Sequence, residues 1–285
     1  MAVTGPWVGS SAKAETGQAW MAAAGAELRM ATPFNMSAMV GKSKELPLTF
    51  TASNHNMNPN ILLNMMTAAC GGNFNGASFV ITINPGVQLI AAVGSWVFNF
   101  SGAMNQSTIK IINHGWIFGR GGNGASAGPG KSIRQQAAAG THAIHITDKC
   151  TVSIDNRGTI SGGGGGGAMI GTTIFDPNYT MGYPGGGGAP FGSAGGNLGG
   201  LREFYAGFNA SDLSGDNGGT YPREPPSGGR GGDIGANGVT PPTMWATDIN
   251  SAGAAAGWAV VPGGYDNNNG KVIWINRGDV RGPSL

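Results

Sequence analysis

Charge is scarce in this chain. Only 11% of its 285 residues are charged, and the formal net charge is +2. That is too little for a phosphate-binding surface, so nucleic acid is excluded as a partner. Cysteine is scarcer still. Cys70 and Cys150 give no disulfide framework and read as buried free thiols. No run of about 18 apolar residues exists, which excludes a membrane-spanning helix and membrane insertion. The opening MAVTGPW lacks the basic and then apolar pattern of a secretory signal.

Catalytic motifs are lacking too. Ala125 to Ser132 resembles a phosphate-binding loop, but Ala125 replaces its first glycine and no apolar strand precedes it. His142 and His145 sit in a β-prone stretch, where their spacing puts the rings on opposite faces, so they do not read as a metal pair. The 14 acidic residues are scattered, and no Ser/His/Asp arrangement has a local motif. The expectation is a protein that is not an enzyme and holds no metal or cofactor.

Glycine is what the chain has in excess: 54 residues, 12 before Gly119 and 42 from there onward. The compositional shift marks two domains, 1–118 and 119–285. The first reads as α+β. A Ser10-Ser11 cap precedes one Ala-rich helix from Ala12 to Met30, and Asn60 caps a short second helix around Leu62 to Met66. Strands follow at Phe79–Ile83, Val87–Ile90 and Trp96–Phe100, with an Asn84-Pro85-Gly86 turn between the first two. The pattern Asn-x-Gly-x-(Ile/Val)-x-Gly occurs at Asn113, Asn156 and Asn276, each time after a β-prone run. Asn and Gly tolerate positive φ, so each unit reads as strand, tight turn, strand, and the three stack as a β platform.

Residues 163–270 form one long excursion from that platform. Glycine tracts run at Gly162–Gly167, Gly185–Gly188, Gly192–Gly200 and Gly228–Gly238. In the last, Gly229, Gly232, Gly235 and Gly238 recur every third residue, the period of a polyproline-II helix. Such helices have no internal hydrogen bonds, so a bundle must satisfy its backbone laterally. A flexible linker is the alternative, but linkers seldom carry so many rings. The rings and other large side chains sit between the tracts: Ile174, Phe175, Tyr179 and Tyr183; Phe204, Tyr205 and Phe208; Tyr221 and Arg223; Met244 and Trp245; Trp258 and Tyr265. Large rings and Arg on loops of a rigid scaffold have the composition of a binding surface.

The opening MAVTGPWVGSSAKAETGQAWM, WIFGRGGNG at 116–124, GGGGGG at 162–167 and GGRGGDIGANG at 228–238 resemble the distal long-tail-fibre adhesins of T-even-type bacteriophages. The resemblance implies an N-terminal domain docked on a trimeric distal fibre protein. It also implies a C-terminal sandwich of polyglycine-II helices whose distal loops recognise a host outer-membrane protein, a porin-like barrel. The protein would then be made in the host cytoplasm and reside at the fibre tip of the virion. The scaffold positions would be Gly119, Gly122, Gly162, Gly165, Gly185, Gly188, Gly195, Gly229, Gly232, Gly235 and Gly238. The fibre-attachment residues would be Trp7, Trp20, Met21 and Met30. Two other readings stay open: a tip that binds lipopolysaccharide, and a fibre-assembly chaperone absent from finished particles.

Overall fold

The computed structural model describes residues 2–127, 133–147, 150–173, 180–196, 203–204, 207–211, 213–216, 228–241, 249–262 and 271–284. Two short helices open the chain, α1 (Val8–Thr16) and α2 (Met21–Glu27). They replace the single helix expected over 12–30. The chain turns at Gly17, whose φ of 76° is left-handed and closes α1 with a bond to Lys13 O. Trp7, not the Ser10-Ser11 pair, holds the N-cap position. Ser10 bonds back to Trp7 O and Ser11 to Thr4 N. Val3, Ala12, Ala24, Leu28 and Met39 form a small separate core.

From Glu45 the backbone winds into a parallel β-helix with three faces. The first coil has β1 (Glu45–Phe50), β2 (Asn54–Met57) and the helix α3 (Pro59–Cys70). Asn58, rather than Asn60, caps α3, accepting the Asn60 N–H with Pro59 in the first turn. Leu62, Met66 and Cys70, spaced by four, turn into the core. The second coil is β3 (Ser78–Ile83), β4 (Gln88–Ala91) and β5 (Phe98–Phe100). The third has β6 (Thr108–Asn113) and β7 (Trp116–Phe118), then leaves for an excursion carrying the ribbon β8 (Ser126–Ala127) and β9 (Ile133–Gln135). It returns as β10 (Ile144–Ile146). The fourth runs β11 (Thr151–Asn156), β12 (Thr159–Ser161), a second excursion and then β17 (Val260–Pro262). The last is β18 (Lys271–Asn276), β19 (Asp279–Arg281) and a bridge from Ser284 to Val260.

Face one is therefore β1-β3-β6-β11-β18, face two β2-β4-β7-β12-β19 and face three β5-β10-β17. The Asn84–Gly86 turn is a corner between faces rather than a hairpin. Inward-facing residues of neighbouring strands stack in register: Leu48, Ile81, Ile111 and Ile154 on face one, Leu89, Ile117 and Ile160 on face two. The compositional boundary at Gly119 coincides with the first departure from the coil, while both large sheets contain strands from either side of it.

The three Asn-x-Gly units stack on one another at one corner. The Asn113 amide donates to Asn156 Oδ1 at 2.8 Å, and the Asn156 amide donates to the carbonyls of Arg277 and Asp279. Asn113 and Asn156 are fully buried. Only Gly278 of the three first glycines has positive φ. Gly115 and Gly158 are required for close approach instead, since a Cβ would run into carbonyls of the coil below.

The glycine-rich excursions pack into one block beside face two. Gly162–Gly167 lies at its centre, bonded to six neighbouring segments. Beyond the Gly162 N–H, which donates to Arg281 of the coil, its N–H groups donate to 138–141, 186–189 and Ala236, and its carbonyls accept from 122–125, 232–235 and 254–257. The neighbours repeat every three residues. Gly162 and Gly165 face Gly257 and Ala254, Gly163 and Gly166 face Arg120 and Asn123, and Gly164 and Gly167 face Gly232 and Gly229. At each of the six a Cβ would strike a backbone carbonyl. The tract 228–238 departs from expectation at Gly235. It turns there, at φ 72°, and folds back so that Gly229 faces Val239 and Gly232 faces Ala236. Gly235 is thus a turn residue, and not part of an extended helix. Ile90 and Phe118 of face two, with Ala189, Ala210 and Ile234, seal the block to the coil.

Candidate binding surfaces

Two surfaces stand out, one in residues 1–40 and one in the glycine block. In the N-terminal unit Gly25 lets α2 close on the Phe34 ring, which occupies the space of a Cβ. Small residues fill the inner face, so the large ones are left outside. Trp7 is 78% exposed and Trp20 80%, and Met21, Met36 and Val40 are exposed with them. Each Trp precedes a helix, at the N-cap of α1 and of α2. Pro6, Trp7, Val8, Ser10 and Met36 line an open depression of about 440 Å³, and Trp20, Met21 and Met36 border a smaller one. Neither contains a charged side chain. Contiguous exposed apolar patches are uncommon on soluble proteins. Met30 differs from its three companions, because it packs half-buried against the small core. Met36 carried no sequence signal beyond its type. The unit is tied to the coil through Glu15, which accepts from the Ser43 hydroxyl and the Lys44 N–H, both at 2.8 Å.

The second surface is the end of the glycine block remote from the coil. Here the central tract continues through Ala168 and Met169 into a four-stranded sheet. Its hairpin, β13 (Ile170–Thr173) and β14 (Thr180–Tyr183), is flanked by β15 (Glu203–Phe204) and β16 (Ile249–Asn250). Of the sequence-predicted contact residues, Ile174, Phe175, Tyr179, Tyr205, Tyr221, Arg223, Met244, Trp245 and Tyr265 lie outside the described residues. Phe204 is in β15. Phe208 is 56% exposed. Tyr183 is a correction: it is 1% exposed, buried at the root of the hairpin, and offers no contact surface. Trp258 belongs to the coil end instead. Trp258 donates its N–H to His142 Nδ1 at 2.8 Å and accepts from Ala143 N just before β17. Burial, and then the neighbouring His145, push the His142 pKa below its ordinary value.

The turn at Gly235 is braced by charge. Arg230 bonds Asp233 at 2.7 Å and Ser214 at 2.8 Å, while Asp233 accepts from Gly215 N. Burial opposes the Asp233 charge, but Arg230 and the Gly215 N–H outweigh it and hold the pKa below the usual carboxylate value. Among the described residues no His/Cys/Asp/Glu group has metal-binding geometry, and no helix is long and apolar enough to cross a membrane.

The division between the small N-terminal core and the coil that starts at Glu45 is also found in known proteins. A family described as "Phage tail fibre adhesin Gp38" matches residues 45–285, and one described as "Phage tail fibre adhesin Gp38 N-terminal domain" matches residues 1–40. The receptor-recognizing protein gp38 of Salmonella phage S16 is 33% identical over 295 residues, covering 100% of both chains. Among solved structures, the crystal structure of the gp37-gp38 adhesin tip complex of the bacteriophage S16 long tail fibre matches over 100% of both chains. Its TM-score is 0.65 at 33% identity.

Proposed function

This chain belongs to the phage tail fibre adhesin Gp38 family, and from that premise we propose that it is a host-recognition tip. In this reading residues 1–40 dock on the trimeric distal fibre protein, and the far end of the glycine block binds an outer-membrane protein of the host. The family supplies the adhesin role. The observation that favours docking through residues 1–40 is the pair of exposed tryptophans, Trp7 and Trp20, beside Met21 and Met36. Large aromatic groups are the commonest anchors of protein interfaces. The solved relative is a complex with gp37, which favours a fibre protein as the occupant.

The block itself we read as polyglycine II. Three-residue periodicity and six lateral partners for Gly162–Gly167 fit a left-handed helix of about three residues per turn with no internal bonds. A scaffold of this kind holds loops rigidly, and rigidity lowers the entropy lost on binding. Phe204, Phe208 and the rings of 174–179, 205, 221–223 and 244–245 are the candidate contacts. Adsorption to host strains each lacking one outer-membrane protein tests the reading. Loss of adsorption on one such strain supports it. Unchanged adsorption on all of them, with inhibition by protein-free lipopolysaccharide, would replace the protein receptor with a glycan.

A further inference from the structure

Three stretches far apart in sequence meet in the sheet at the end of the block. β13 and β14 pair antiparallel, with Ile170 opposite Tyr183 and Gly171 opposite Gly182. β15 adds to β14 in parallel, Met181 beside Glu203 and Gly182 beside Phe204. β16 adds to β13 antiparallel, Ile170 beside Asn250 and Gly171 beside Ile249. Strands of two residues make too few bonds to hold a register alone. A buried clasp adds to them. Met169 N–H donates to the Ser251 hydroxyl at 2.8 Å, and Ser251 N–H donates to the Met169 carbonyl at 3.1 Å. Ser251 is 4% exposed and Met169 1%, the latter packed on Ala125 and Ala137 of the first excursion.

We propose that the receptor contact is one composite surface rather than a set of independent loops. The sheet joins β13–β14, β15 and β16, the described strands of the stretches 168–184, 201–214 and 239–250, and Ser251 is the positioning residue that fixes β16 against β13. This rests on the proposed receptor role of the tip. Its consequence is that specificity is carried jointly. The strands of the second and third stretches pair only with the β13–β14 hairpin of the first, so a stretch moved alone into a foreign tip arrives without its supports.

Grafting between this chain and the S16 relative tests it, using phage particles and whole cells of the two hosts. Each of the three stretches is exchanged singly, and then all three together. Melting temperature and co-purification with the fibre confirm that each variant is assembled. The expected result is that every single exchange lowers adsorption to the original host at least tenfold without conferring the donor's host, and that the triple exchange confers it. Transfer of the donor's host by one stretch alone overturns the composite surface and leaves the receptor reading standing. No change in host with the triple exchange overturns both. A second variant needs no graft. Ser251→Ala is expected to weaken adsorption at least tenfold and to speed amide exchange at Gly171 and Asn250, with Ser251→Thr restoring both. Slow exchange at Gly171 and Asn250 in Ser251→Ala would show that the clasp does not set the register.

Discussion

At Gly165 an added methyl would run into the Ala254 carbonyl, whereas at Gly196 nothing lies within 4 Å. Gly165→Ala is therefore expected to destabilise the protein by about 1–3 kcal/mol through overpacking, and Gly196→Ala to leave the melting temperature within about a degree. Equal shifts on a thermal melt would contradict the close-packed block. His142 makes a second residue-level prediction. Its Nδ1 must stay unprotonated to accept the Trp258 N–H, and burial lowers its pKa below 6.5. Above about pH 6.5 folded and unfolded chains are both neutral there and nothing changes. Below it the unfolded chain takes up a proton that the folded one resists, so stability falls with pH until the lowered pKa is passed. The melting temperature of His142→Asn, which keeps an acceptor near the same place, should fall less between pH 7 and 5 than that of the parent.

Among the elements, the Asn corner was visible in the sequence as a thrice-repeated Asn-x-Gly, and its stacking is what the repeat implies. Asn156→Ala removes both donors to the Arg277 and Asp279 carbonyls and leaves the buried Asn113 amide with only the longer bond to Thr159 O at 3.3 Å. A loss of about 2–4 kcal/mol in denaturant melts is expected, and a loss under about 0.5 kcal/mol would mean that water replaces the ladder. The other coils were hidden because their corners use different residues, Asn84-Pro85-Gly86 in one case and none that repeats in the first. The N-terminal helix was misjudged for a related reason. Ala12 to Met30 has high helix propensity throughout, but Gly17 at positive φ ends the first helix and tertiary packing on Leu28 and Met39 then sets the second. Tyr183 has the composition of a contact residue, and only its pairing with Ile170 reveals that it is buried.

For the molecule as a whole, residues 1–40 and the coil have separate cores. Deleting 1–40 should leave the coil and block folded, yet abolish co-purification with the trimeric fibre. Retained co-purification would move the docking surface elsewhere. The larger architecture was legible only in part. Three-residue glycine spacing announced lateral packing, but no spacing says which tract lies at the centre, because that is decided by partners up to about ninety residues away, from 122–125 to 254–257. The same arrangement constrains how the chain comes to be folded. Gly162–Gly167 cannot satisfy its carbonyls until 254–257 has arrived, and Ala259 donates to Pro283 two residues before the end. Contacts of such high sequence separation delay the transition state, because chain closure must precede any reward. The centre of the block is synthesised about ninety residues before its last glycine-block partner. Until then its glycines have no internal hydrogen bonds to hold them, so the tract depends on the rest of the chain for its order.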